Sequence, residues 1–259
     1  SVLKLSLGNL PEDDVEAHFN LLPERYFVNT SASDAVLHLN MINQLLSKIQ
    51  NADSVGSLSP IIDWRDDETL DMSVINIVTW DRAGLFFKLA AAITLSELTI
   101  VSTRAISRKD HISIDTFYVI DLDGNCVTNS KIKDTLKQKI EEILVHGKDF
   151  ANEIEKLEER YSLNDSEKLP SDFPASVDIY HELSLQRTII EIKAIDRIGL
   201  LFKLSQLINN KNFDITFARI STERGIVMDT FYVENINLKD PSTTSDLIDL
   251  RSQIESIIS

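Results

Sequence analysis

From Glu12 onward the apolar positions fall into a few regular patterns. Residues 12–22 carry apolar side chains at helical intervals between Pro11, which suits a first helical turn, and Pro23, which stops the run. Pro23-Glu24-Arg25-Tyr26-Phe27 reads as a connector. Ser31 with Asp34 resembles a capping box with Asp where Glu is usual. Behind it Val36, Leu39, Ile42, Leu45, Leu46 and Ile49 recur three and four apart, predicting a helix to about Asn51 with one buried face. A polar linker with Gly56 follows, and then the period changes. Residues 60–64 begin a short strand, and 70–80 form a longer one with Met72, Val74, Ile75, Ile77 and Val78. Residues 84–97 return to helical spacing through Leu85, Leu89, Ala92 and Ile93. Strands over 98–108 and 111–121 meet at Lys109-Asp110 and end in a loop at Gly124. A helix over 130–146 presents Ile132, Leu136, Ile140 and Ile143, and Gly147 stands at its C′ position. Phe150, Ile154, Leu157 and Tyr161 keep helical spacing before a charged linker over 162–172.

The pattern then repeats. Trp80-Asp81-Arg82-Ala83-Gly84-Leu85 is answered by Ile195-Asp196-Arg197-Ile198-Gly199-Leu200, and Asp115-Thr116-Phe117-Tyr118-Val119 by Asp229-Thr230-Phe231-Tyr232-Val233. At a constant offset Asp178 answers Asp63 and Arg219 answers Arg104; past the tighter turn at Gly225 the offset shortens by one. The second copy ends in a helix from about Thr243, with Leu247, Leu250, Ile254 and Ile257 on one face and no strand left after it. The strand ahead of each glycine turn's own strand must therefore fill the place of a last strand. Each unit is expected to be strand-strand-helix-strand-strand-helix, a permuted ferredoxin-like α+β sandwich. Helices should cover one face of a four-stranded antiparallel sheet. Because the strands are apolar on both sides, part of the other face should be buried too.

Length supports this division: 259 residues accommodate two domains of about 100 residues and an appendage. The expected boundaries are a helical lead-in over 1–56, a first unit over 57–165 and a second over 166–259. A formal charge of −15 disfavours nucleic acid and anionic membrane as partners, since phosphates would be repelled. A single cysteine, Cys126, excludes an intrachain disulfide and fits a cytoplasmic setting. No apolar run approaches the ~18 residues of a membrane span. The chain opens at Ser1 without methionine, so it is expected to be part of a longer protein.

These turns and strands resemble the ACT domain, a regulatory module that binds amino acids in many metabolic enzymes; the family's turn is Asp-Arg-Pro-Gly-Leu, and proline is absent from both copies here. The wider order is similar to the C-terminal end of the PII-protein uridylyltransferase family. It consists of Leu22-Pro23-Glu24-Arg25-Tyr26-Phe27, a helix with His38, and two such units, with Phe173-Pro174-Ala175-Ser176-Val177 before the second. The resemblance implies an amino-acid-sensing region, with glutamine as ligand. It would set the balance of uridylyl attachment and removal on a PII-type signalling protein through upstream catalytic domains. It also implies packing between the two units or across a homodimer, and no cofactor. The alternative is a stand-alone tandem that binds partner proteins and no ligand.

The expected ligand residues are Asp81, Arg82, Ala83, Gly84 and Leu85 in the first turn, and Asp196, Arg197, Ile198, Gly199 and Leu200 in the second. A helix start offers unpaired amides to a carboxylate, and glycine lets a ligand approach; Asp81, Asp196 or loop carbonyls can accept an ammonium group. The competing reading is that both aspartates only cap helices and both arginines lie in solvent. Arg104 and Arg219 sit mid-strand. They either meet a ligand carboxylate or the neighbouring unit, or they lie on an exposed face or pair with Asp115 or Asp229. No catalytic or metal site is expected. Gly56-Ser57 with Asp63, Asp66 and Asp67 is too tightly spaced for a nucleotidyltransferase, and His18, His38, His111, His146 and His181 are scattered.

Overall fold

A computed structural model of the protein describes residues 12–49, 59–67, 69–162, 173–182, 187–235 and 244–259. The opening segment 1–11, the linker around Gly56 and the charged stretch 163–172 lie outside the described residues, as do both expected domain boundaries.

Among the described residues the lead-in holds three helices: α1 (Glu12–Leu21), α2 (Glu24–Asn29) and α3 (Ala32–Ile49). The expected connector after Pro23 is instead α2: Pro23, at φ −71°, serves as its N-cap and the Tyr26 amide closes the turn on the Pro23 carbonyl at 3.0 Å. Before α3 the Asp34 amide donates to the Ser31 hydroxyl at 3.1 Å and that hydroxyl donates to the Asp34 carboxylate at 2.8 Å, so the cap forms as read.

The first unit follows as β1 (Ile61–Asp67), β2 (Met72–Trp80), α4 (Leu85–Leu95), β3 (Thr99–Ser107), β4 (Ile112–Ile120) and α5 (Ser130–Leu144), and α6 (Ala151–Ser162) connects onward. The second unit is β5 (Ser176–Glu182), β6 (Arg187–Ile195), α7 (Leu200–Asn210), β7 (Phe213–Glu223), β8 (Ile226–Asn235) and α8 (Thr244–Ile258). β1 pairs antiparallel with β2, and β5 with β6, so the leading strand does occupy the place of a last strand. Each unit carries a register shift at the same place, between Ile100 and Ser102 and between Ile215 and Phe217.

The two four-stranded sheets join edge to edge. β3 pairs with β7 through Ser102↔Ser221, Thr103↔Ile220 and Arg104↔Arg219, giving one antiparallel sheet of eight strands in the order β1-β2-β4-β3-β7-β8-β6-β5. This closes one edge of each sheet, where unpaired amides would otherwise be exposed. On the helix side a single apolar core runs through both units. Phe86 of α4 lies 6.2 Å from Phe117 and 6.3 Å from Phe231 of the other unit, and Phe202 lies 5.6 Å from Phe150 and 6.3 Å from Phe87, by ring centroids. The opposite face of the first unit is covered by the lead-in, where Leu22, Tyr26, Ile42 and Leu45 pack on Ile61, Val78, Ile106 and Ile114. None of the described helices is long and apolar enough to cross a membrane.

A buried polar chain locks the lead-in to the sheet. Arg108 Nη1 lies 3.4 Å from His18 Nδ1, His18 Nε2 lies 3.3 Å from the Tyr26 hydroxyl, that hydroxyl lies 2.9 Å from His38 Nδ1, and His38 Nε2 lies 3.1 Å from Asn76 Oδ1. One donor direction satisfies every step: Arg108 donates to His18, His18 to Tyr26, Tyr26 to His38 and His38 to Asn76, which requires both imidazoles neutral. Burial, with Arg108 and His38 nearby, holds His18 down to about 3, and burial also lowers His38.

Candidate functional site: two reciprocal clefts at the seam

Each glycine turn sits where a central strand ends and its helix begins. Gly84 (φ +74°) and Gly199 (φ +79°) are left-handed, and a Cβ at either would strike a neighbour: the Phe87 ring and, at 3.1 Å, Asn209 Oδ1 for the first, the Glu158 carboxylate for the second. Only glycine adopts such a backbone cheaply. The Leu85 amide bonds the Arg82 carbonyl at 3.0 Å and the Leu200 amide the Arg197 carbonyl at 3.1 Å. The first full helical bonds are Lys88 N to Gly84 O, 3.3 Å, and Lys203 N to Gly199 O, 2.9 Å, so the amides just ahead sit at an open helix end.

The aspartates do not cap these helices: the N-caps are Gly84 and Gly199, without a side-chain bond. Their amides instead tie each glycine turn to the β3–β4 or β7–β8 turn of its own unit, Asp81 N to His111 O at 2.7 Å and Asp196 N to Gly225 O at 2.9 Å. Both arginines find partners, although Arg197 remains exposed. Arg82 donates to the Leu144 carbonyl at the end of α5, 3.2 Å, and Arg197 to the Ile257 carbonyl near the end of α8. A cation at a helix C-terminus meets the negative end of the helix dipole, so each turn braces the closing helix of its own unit.

The edge-to-edge pairing brings each turn against the other unit. Asp81, Arg82, Gly84 and Leu85 face Asn209, Phe213, Asp214 and Ile215; Asp196, Arg197, Ile198, Gly199 and Leu200 face Thr94, Leu98, Thr99 and Ile100. The two clefts are related by the same repeat that relates the units. They are unequal in size. The first is nearly filled, with about 20 Å³ of free space, room for about one water. The second opens to about 330 Å³, with Leu122 and Tyr161 on its rim. Ala83 is exposed and outside the first cavity.

Carboxyl groups gather on this side of the sheet. Burial lifts Asp115 to about 8, against the Ser113 hydroxyl that donates to it at 2.7 Å, with the Asp81 charge adding to the rise. Asp229 is likewise lifted to about 8 by burial and the Asp196 charge, although the Ser221 amide bonds it. Asp196 rises to about 6 through burial, held back by the Arg197 amide and the Thr222 hydroxyl; Asp214 rises to about 6 through burial and the charges of Asp81 and Glu234. Burial thus favours the protonated form more strongly at Asp115 and Asp229 than at Asp196. Among the described residues no three His, Cys, Asp or Glu stand close enough to hold a metal.

The sequence singled out the turns but not the opposing walls. Asn209, Asp214, Thr94 and Thr99 carry no motif; only the β3–β7 pairing makes them neighbours of a turn. The resemblance to cross-unit packing was the available signal, and it did not specify which corner meets which turn.

Fold and turns together define a tandem of two permuted ferredoxin-like sandwiches that resemble the ACT module, joined through their sheets. In sequence the chain is similar to bifunctional uridylyltransferase/uridylyl-removing enzymes. It is 29% identical to that of Pseudomonas putida over 239 residues, covering 91% of this chain and 25% of the relative. It is 22% identical to that of Rhodospirillum rubrum over 256 residues, 99% and 26%, and 27% identical to that of Azotobacter vinelandii over 239 residues, 91% and 25%. The chain thus spans about a quarter of the length of these curated relatives. No family profile matches it. Among solved structures, an aspartate kinase from Synechocystis superposes with a TM-score of 0.38 at 13% identity, over 73% of this chain and 28% of that one.

Proposed function

We propose that this chain is an amino-acid-sensing regulatory region, and that its ligand binds in the cleft of about 330 Å³ beside the second turn. The observation that carries the reading is that all five second-turn residues, Asp196 to Leu200, line one open cleft whose far wall belongs to the other unit. A ligand carboxylate would meet the open amides at the start of α7, and its ammonium group the Asp196 carboxylate. The Thr94 and Thr99 hydroxyls offer partners to a polar side chain. Glutamine is the ligand we assign, on the resemblance to the uridylyltransferase relatives. Because the cleft has one wall in each unit, a ligand there favours one relative placement of the two units. A coupling of about 1–3 kcal/mol is enough for regulation. In a longer protein built like those relatives, the output would be the balance of uridylyl attachment to and removal from a PII-type partner.

The near-filled first cleft favours a second reading for that turn alone, a purely structural brace. Calorimetry with a panel of amino acids tests the proposal. Glutamine should bind once per chain, and Asp196→Asn should weaken it tenfold or more. A panel without heat would leave a ligand-free scaffold as the reading.

A further inference from the structure

On the sheet face opposite the turn clefts, the repeat and the pairing register coincide. Arg104 and Arg219 are equivalent positions of the two units, and they are also direct cross-strand partners at the seam. The local two-fold axis relating the units therefore runs between two arginines. Both belong to strand positions that alternate with Ala105, Ala218 and Ile220 of the helix-side core, so both point away from the helices. This corrects one expected pairing: Asp115 and Asp229 share the core side with Phe117 and Phe231 and are out of reach.

Like charges directly opposite one another destabilise a sheet. In a chain with 41 acidic and 26 basic residues, such a pair stands out. Among the described residues Arg219 forms no ion pair, while Arg104 lies over the Tyr118 ring at 5.9 Å. Arg187 on β6 adds a third guanidinium, tethered to Glu234 at 3.0 Å. Together they line a cavity of about 1020 Å³ that also includes Phe217 and Tyr232, whose rings meet edge to face at 5.3 Å. That volume is at the upper end of small-molecule pockets, about 300–1,000 Å³.

We infer that this cavity binds an organic dianion with an aromatic or apolar body. Its two negative groups lie across the local axis, one toward Arg104 and one toward Arg219, in charge-assisted hydrogen bonds. Its body rests on the Phe217–Tyr232 pair. Glu24 and Glu191 in the same lining and the overall charge of −15 oppose a polyanion, which limits the ligand to a small molecule. The site is separate from the turn clefts and does not depend on the amino-acid reading.

The test is titration calorimetry of the whole chain at low salt with isophthalate, an aromatic dicarboxylate, and with benzoate, its monoanionic counterpart. Isophthalate should bind once per chain, at least tenfold more tightly than benzoate. Arg219→Gln should weaken it tenfold or more, and Lys137→Gln, an exposed change on the helix side, should not. Arg219 is exposed and faces a like charge, so its replacement should leave the thermal midpoint unchanged or raised. Absence of isophthalate binding, or binding that survives Arg219→Gln, overturns the inference.

Discussion

At Gly84 and Gly199 a missing side chain sets the local geometry, and the two positions differ in what replaces it. A Cβ at 84 meets a ring wedged in the seam; at 199 it meets the end of a flexible Glu158. Gly84→Ala and Gly199→Ala should each cost about 1–2 kcal/mol for the left-handed backbone. Gly84→Ala should cost more, because Phe87 cannot step aside as Glu158 can. Urea denaturation of the pair reads the difference. Asp229 provides a pH signature. Its folded value of about 8 lies above the ordinary carboxyl value of 3.8, so the folded state holds its proton longer than the unfolded one. The stability this confers is full below about pH 4 and is lost as pH rises toward 8. Asp229→Asn should therefore gain on the parent chain in stability measured from pH 4 to 8; parallel curves would contradict the burial argument. The turns were legible in the sequence because their spacing recurs. The buried state of Asp115 and Asp229 was not, because only pairing order reveals which face a strand residue occupies.

Among the elements, the lead-in shows where periodicity stops being informative. α3 was legible through its apolar spacing, although Leu46, expected on the buried face, is exposed, whereas α2 is only six residues long, too short to display a period, and sits behind a proline. Its contribution is Tyr26, fully buried between two neutral imidazoles. Tyr26→Phe removes a donor to His38 and an acceptor from His18, leaving buried ring nitrogens unpartnered at about 1–3 kcal/mol. Urea unfolding should show that loss with an unchanged m-value. A neutral result would mean that the hydroxyl does not hold the lead-in to the sheet. The ion pair of Asp34 with Arg65, 2.8 Å, is partly exposed on its Arg65 side and is expected to matter less.

At the scale of the whole molecule, two repeated sandwiches become one sheet and one core. The sequence foretold the permuted strand order, since a unit ending in a helix must borrow its leading strand. It left open whether the units pack within the chain or across a dimer, because edge pairing of β3 with β7 rests on three residue pairs without a distinctive pattern. That pairing turns two glycine bends into clefts with walls from both units, and it leaves them unequal, one nearly closed and one open. The most direct test of the account is calorimetry of the intact chain with glutamine, alongside the Asp196→Asn variant. The account predicts saturable binding of one glutamine per chain, weakened at least tenfold by the substitution. No glutamine binding, or binding indifferent to Asp196, contradicts it.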